Sequence, residues 1–185
     1  TFTNLNVNTT SNVRLIVNAV TLSATGTMNI NNNAIITAFN KPGNGGAFTC
    51  FSTNASSVAG SVCNMLNNNF SNITLAGNTT FVGISNTDGT AVSAPVKNIN
   101  GNTFSNISNT ASLNVITILN VNFGAPNSTI NNNVISDIDW GNVLTAIALG
   151  SSCQSLMVSG NNINGLLGNT SGVTAITSAA PTVSI

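Results

Sequence analysis

The chain has 185 residues, of which 3% are charged against roughly a quarter in an average soluble protein, and its three basic and three acidic side chains cancel. That neutrality excludes steering toward nucleic acid or anionic lipid by a basic field, and no run of about eighteen apolar residues is present to insert in a membrane as a helix. With 42% apolar residues, rich in Val and Ile, the composition excludes disorder and favours β-structure. His, Tyr and Glu are absent, the acids are Asp88, Asp137 and Asp139, and 36 residues are Asn.

Two kinds of segment alternate down the chain. Val13-Arg14-Leu15-Ile16-Val17 reads as a short β-branched strand, and Ile30-Asn31-Asn32-Asn33-Ala34-Ile35 follows it. The first kind recurs at residues 47–51, 80–84, 113–118, 143–148 and 173–177. The second recurs as Met65-Leu66-Asn67-Asn68-Asn69-Phe70, Ile99-Asn100-Gly101-Asn102-Thr103-Phe104, Ile130-Asn131-Asn132-Asn133-Val134-Ile135 and Val158-Ser159-Gly160-Asn161-Asn162-Ile163. In each of these an apolar residue precedes Asn by three positions, and a second apolar residue follows that Asn by two. A third small or apolar position, at Ala38, Ile73, Ile107, Ile138 and Leu166, completes the motif. The shared Asn steps from Asn33 to Asn68, Asn102, Asn133 and Asn161, at intervals of 35, 34, 31 and 28. Turn clusters separate the units, as in Asn40-Lys41-Pro42-Gly43-Asn44-Gly45-Gly46 and Gly124-Ala125-Pro126-Asn127.

Units of this size, each with two or three short strands, match single turns of a parallel β-helix. One turn cannot bury its apolar face alone, so neighbours must stack. The Asn at the corner is expected both to accept a left-handed backbone and to hydrogen-bond its counterparts about 4.8 Å above and below, as an Asn ladder. Five full coils are expected, with residues 2–22 an imperfect first one. Residues 1–185 then form a single β-helix domain, read as a segment of a longer repeat array. The first residues lack the basic start and apolar core of a signal peptide, so a secreted protein would be represented here by a mature or excised piece.

The apolar-x-x-Asn-x-apolar-x-x-apolar pattern resembles the right-handed parallel β-helix repeat of the pectate-lyase-like superfamily. Its Asn-rich, charge-poor form looks most like the long β-helix regions of secreted bacterial surface proteins, among them adhesins and type IX secretion substrates. The resemblance implies an all-β, right-handed parallel β-helix (solenoid) of about five to six coils, an extracellular or cell-surface location, and polysaccharide or secretion machinery as partners.

The same superfamily contains polysaccharide lyases and hydrolases. Asn86-Thr87-Asp88-Gly89 resembles the Asn-Thr-Asp motif of polygalacturonases, yet no Asp pair follows one coil later and glycoside hydrolysis needs two carboxyls on one bond. Asp88 is expected to be a turn residue. In Asp137-Ile138-Asp139, an inward Ile138 would turn both carboxylates outward, which could begin a Ca²⁺ site that wants six to eight oxygens. A pectate lyase would add an Arg, and the only one, Arg14, lies several coils away; neither a metal nor another cofactor is expected. Trp140 is expected to cover the corner of its own coil rather than stack on a sugar. Arg14, Lys41 and Lys97 are read as solvated. Cys50, Cys63 and Cys153 are expected to pack as small apolar residues, a Cys50–Cys63 bridge being the only pairing that proximity suggests. Asn-x-Ser/Thr triplets such as Asn8-Thr9-Thr10 make glycosylation a possibility and no more. Ice binding would need a regular Thr-x-Thr array, and only isolated pairs such as Thr25 and Thr27 occur.

Two functions therefore stand. The first is a structural or adhesive solenoid without catalysis, partnered by neighbouring repeats or other copies of the chain. The second is a carbohydrate-active enzyme or polysaccharide-binding module using Asp88 or Asp137 and Asp139.

Overall fold

The computed structural model describes residues 1–169 and 172–184, and among these every regular element is a β-strand. The first turn consists of β1 (Val13–Asn18), β2 (Thr27–Asn29) and β3 (Phe39–Lys41), and the second of β4 (Ala47–Thr53), β5 (Val62–Leu66) and β6 (Ile73–Leu75). The third holds β7 (Thr80–Asn86), β8 (Val96–Asn100) and β9 (Thr103–Asn109), and the fourth β10 (Ile116–Val121), β11 (Thr129–Asn131) and β12 (Val134–Trp140). The fifth holds β13 (Leu144–Leu149), β14 (Leu156–Ser159) and β15 (Asn162–Gly168); β16 (Val173–Ser178) and β17 (Val183–Ser184) begin another.

Every third strand joins the same sheet. The orders β1-β4-β7-β10-β13-β16, β2-β5-β8-β11-β14-β17 and β3-β6-β9-β12-β15 define three parallel sheets around one core, a β-solenoid of about five turns. Ahead of β1, Phe2 and Asn6 bridge to Ile35 and Asn40, so the first residues cover the edge of the third sheet rather than forming a whole coil. The apolar strands read from the sequence are β1, β4, β7, β10, β13 and β16. Each Asn-rich stretch divides at its ladder Asn between the second and third sheets.

Side chains at equivalent positions stack into columns. Met65, Ile99, Ile130 and Val158 form one and Ile35, Phe70, Phe104 and Ile135 another, all buried. The aromatic part of the core runs from Phe39 onto Phe48 (ring centroids 4.2 Å apart) and from Phe48 onto Phe81 (5.9 Å). The third apolar position differs from expectation in the first turn, where Phe39 and not Ala38 pairs with Ile73. That turn carries one extra residue between Ile35 and Phe39, so an aromatic ring takes the inward place that a count of three assigns to Ala38.

The corner and the ladder are also separate residues. Left-handed φ values belong to the residue before each ladder Asn: Asn32 (58°), Asn67 (57°), Gly101 (67°), Asn132 (56°) and Gly160 (62°). Only Gly and Asn occupy that column, as the left-handed region requires. Its bend aims the next side chain inward, which is what makes a ladder possible.

Candidate functional site

Asn33, Asn68, Asn102, Asn133 and Asn161 stand in a single column. The Nδ2 of each donates to the Oδ1 of the next, at 3.0, 2.9, 3.0 and 2.9 Å, and the backbone N–H of each donates to that same oxygen at 2.9–3.0 Å. The second Nδ2 proton of Asn68, Asn102, Asn133 and Asn161 goes to the carbonyls of Ile30, Met65, Ile99 and Ile130, each at 2.8 Å. Inner members of the column thus have both donors and both acceptor sites of the amide filled. Asp or Leu would fit the space and fail that count.

The three cysteines are free and buried, so no Cys50–Cys63 bridge forms. Burial pushes the Cys50 thiol well up, raises Cys153, and lifts Cys63 to about 12 with the Asp88 carboxylate adding to the effect. All three therefore remain neutral thiols at neutral pH, inert as nucleophiles.

Two of the three basic residues are not solvated. Lys41 and Lys97 are completely buried. Lys97 faces inward from β8, paired with Cys63 of β5, and its Nζ donates to the carbonyl of Asn86 at 2.9 Å and to that of Asn122. Burial pulls its ammonium down to about 8, with Cys63, Cys153 and Asp88 opposing the fall. Lys41 donates to the carbonyls of Gly43 (2.8 Å) and Gly45 (2.6 Å) and to Thr79 Oγ1 (3.2 Å), and burial lowers its pKa too. Each ammonium is ringed by turn carbonyls, and the Asn86 carbonyl accepts from the Asn122 N–H as well, at 3.0 Å. Arg14 is exposed, as expected.

Asp88 belongs to a turn, ahead of Gly89 with its φ of 110°, but it is also sealed in. Its carboxylate accepts from the Ser57 N–H at 2.9 Å and the Ser57 hydroxyl at 2.7 Å, while Cys63 Sγ lies 3.8 Å away. The carboxylate thus fastens one turn to the coil before it and does not face a polymer lying on the surface.

Asp137 is exposed and Asp139 half-buried, on either side of Ile138. Ile138 is inward, but Asp137 has a φ of 54° and occupies the exposed bend that Asn72 (59°), Asn106 (52°) and Gly165 (58°) occupy in other turns. The pleat is broken there, with Ser136 buried on its other side, and Asp139 instead accepts from Asn169 Nδ2 at 3.2 Å. Among the described residues no three His, Cys, Asp or Glu side chains come together as metal ligands. Trp140 does not cap its coil from outside; it is buried, its ring centroid 6.4 Å from that of Phe81, and its Nε1–H donates to the Asn114 carbonyl at 2.9 Å.

The buried lysines are the residues that reasoning from charge alone misplaces. Lys97 stands two positions before Ile99, in the same relation as Met28 to Ile30 and Cys63 to Met65, and alternation along the strand would have placed it inside. No family model matches the chain, and no curated protein or solved structure shows significant similarity to it.

Proposed function

We propose that the chain is a structural and adhesive segment of an extracellular surface protein: a neutral solenoid that extends a larger molecule and stacks on neighbouring repeats or on other copies of itself. One observation carries this reading. Most of the groups that could do chemistry are consumed in holding turns together: Lys41 and Lys97 cap carbonyls, Asp88 binds Ser57, and the inner Asn amides fill one another, which leaves Arg14 and Asp137 exposed and far apart in the chain. At the far end of the column Asn161 keeps its bond to Ile130 and, among the described residues, has no ladder acceptor beyond it. The face it offers suits another coil of the same kind.

The test is a panel of neutral and acidic polysaccharides incubated with the protein, with and without Ca²⁺, and followed for both retention and cleavage. Retention without cleavage is the expected result. Calcium-dependent cleavage that disappears on Asp137→Asn with Asp139→Asn would overturn the proposal in favour of a lyase or hydrolase.

A further inference from the structure

The outer face of the sheet β1-β4-β7-β10-β13-β16 carries two columns that the linear sequence conceals. Arg14, Thr49, Val82, Thr117, Thr145 and Thr174 are successive pairing partners, and so are Val17, Ser52, Ser85, Asn120, Ala148 and Thr177; of these Thr49 is buried. Within each strand the two columns lie three residues apart. The pair between them is turned into the core, as with Cys50 and Phe51, Ile118 and Leu119, and Ala146 and Ile147. A trough of about 290 Å³ runs between the columns at one end, lined by Val17, Thr49, Ser52, Val82 and Ser85, with Arg14 at its rim.

This face differs from the one beside it. On the outer side of β2, β5, β8 and β11 the polar side chains are spent on each other. Asn64 Nδ2 donates to Asn29 Oδ1 at 2.9 Å, Asn98 Nδ2 to Asn64 Oδ1 at 2.8 Å, and Thr129 Oγ1 to Asn98 Oδ1 at 3.1 Å. Among the described residues the hydroxyls of Ser52, Ser85, Thr117, Thr145 and Thr174 make no hydrogen bond within the protein. They face outward, each with one donor and two acceptor lone pairs to offer.

The geometry points to this face as an ice-binding surface, whose ligand is the water lattice itself. Stacking of parallel strands fixes the columns at a repeat of about 4.8 Å, and the β-branched side chains of the first column, Val82, Thr117, Thr145 and Thr174, are stiff at χ1. Their methyls constrain neighbouring water while their hydroxyls pin it. Water held on such a grid takes the period of the protein before any crystal arrives, so little further ordering is required when it joins one. Charged side chains would hold competing hydration shells, and of the chain's few only Arg14 stands on this face, as the first member of the Thr column on the outermost strand. A sugar polymer is the less suitable occupant. Ring stacking needs an exposed aromatic, whereas Phe39, Phe48, Phe51, Phe70, Phe81, Phe104 and Trp140 are buried, and the half-buried Phe2 and Phe123 lie outside the strands of this sheet. Counting Thr-x-Thr pairs within single strands does not register this array, which is assembled from different turns with the two columns three residues apart.

The experiment measures thermal hysteresis and inhibition of ice recrystallisation by the protein, by Thr117→Lys and Thr145→Lys, and by Ser108→Lys on the third sheet as control. Thr145→Val, which keeps the shape and removes the hydroxyl, guards against a misfolded lysine variant, and thermal melts verify folding of all four. The protein and Ser108→Lys are expected to slow recrystallisation, Thr145→Val to be weakened, and both threonine-to-lysine variants to fall to the level of buffer. Unchanged ice growth with the parent protein, or full activity in Thr117→Lys and Thr145→Lys, overturns the inference. So does retention on insoluble cellulose or chitin, or self-association in sedimentation, that the same two variants abolish, because the occupant would then be a glycan or a second copy.

Discussion

Replacing Asn102 by Ala removes the middle rung of the amide column, and its cost follows from the bonds that rung makes. The Asn68 N–H loses its acceptor, the Asn68 Nδ2 loses one of two, the Met65 carbonyl loses a donor, and Asn133 Oδ1 keeps only the backbone N–H of residue 102. Asn68 and Asn102 are 1% and 0% exposed, so water does not replace these partners. Two to three orphaned groups at about 1–3 kcal/mol each give a loss of about 2–9 kcal/mol. At the start of the column the same change removes fewer bonds from a wetter place, since Asn33→Ala takes no acceptor from a rung behind it, whereas Asn161→Ala orphans the buried Asn133 N–H and Ile130 carbonyl much as Asn102→Ala does those of Asn68 and Met65. Asn33→Ala should cost about half as much as Asn102→Ala or less, and Asn161→Ala nearly as much. Urea denaturation followed by far-ultraviolet circular dichroism, with the slope examined for a second transition where the stack has been cut, makes the comparison. If Asn102→Ala is no more harmful than Asn33→Ala, the column is decoration and the turns are held by burial alone.

Lys97→Met should destabilise by about 2–4 kcal/mol, because the Asn122 carbonyl loses a donor, the Asn86 carbonyl is left with the Asn122 N–H alone, and Asp88 loses a nearby positive charge; adding Asp88→Asn should recover part of the loss, as a double-mutant cycle in urea would show. The pH dependence has two opposed parts. Lys97 has a folded pKa of about 8 against 10.5 unfolded, so between those values the unfolded chain binds more protons and stability rises with pH by up to about 1.4 kcal/mol per unit, Lys41 acting in the same direction. Above pH 9 the three buried thiols hold protons that the unfolded chain releases, and three falling contributions outweigh two rising ones. The melting temperature should therefore peak near pH 9 and move upward when Cys50, Cys63 and Cys153 are replaced by Ala; a maximum near neutrality would contradict it. Gly83→Ala should cost at least about 1–3 kcal/mol, since a Cβ there would lie 2.5 Å from Phe104 Cε1 and 2.6 Å from the Ile118 carbonyl, and the drop in melting temperature checks it. Asp137→Asn with Asp139→Asn should leave stability within about 0.5 kcal/mol, and millimolar Ca²⁺ should not shift the melt of either form.

The stacked turns were legible because the ladder Asn has no substitute: nothing else fills two donors and two acceptors at that place, so it recurs unaltered at Asn33, Asn68, Asn102, Asn133 and Asn161. The left-handed corner was legible only in part, since Asn fills it in three turns and is confused with the ladder. Gly101 and Gly160 give the distinction away, being able to serve the bend but not the rung. The buried lysines were misplaced because charge was weighed before position. A strand whose inward column reads Met28, Cys63, Lys97, Ser128 and Leu156 sets direction by alternation, and the ammonium follows the backbone inside and collects the carbonyls it finds there.

The hydroxyl columns were illegible for a different reason. Core positions recur because each must fit its neighbour, but a side chain on the outer face answers only to solvent or to a ligand, so no packing rule forces Thr on Thr. The loops between turns also vary, placing Thr49, Val82, Thr117, Thr145 and Thr174 at intervals of 33, 35, 28 and 29. A regular surface built from irregular spacing becomes visible only when strand register is known. Since the amides of the adjacent second sheet are already paired with one another while these hydroxyls are not, it is the open columns, and not the far more numerous asparagines, that distinguish this side of the solenoid from that one.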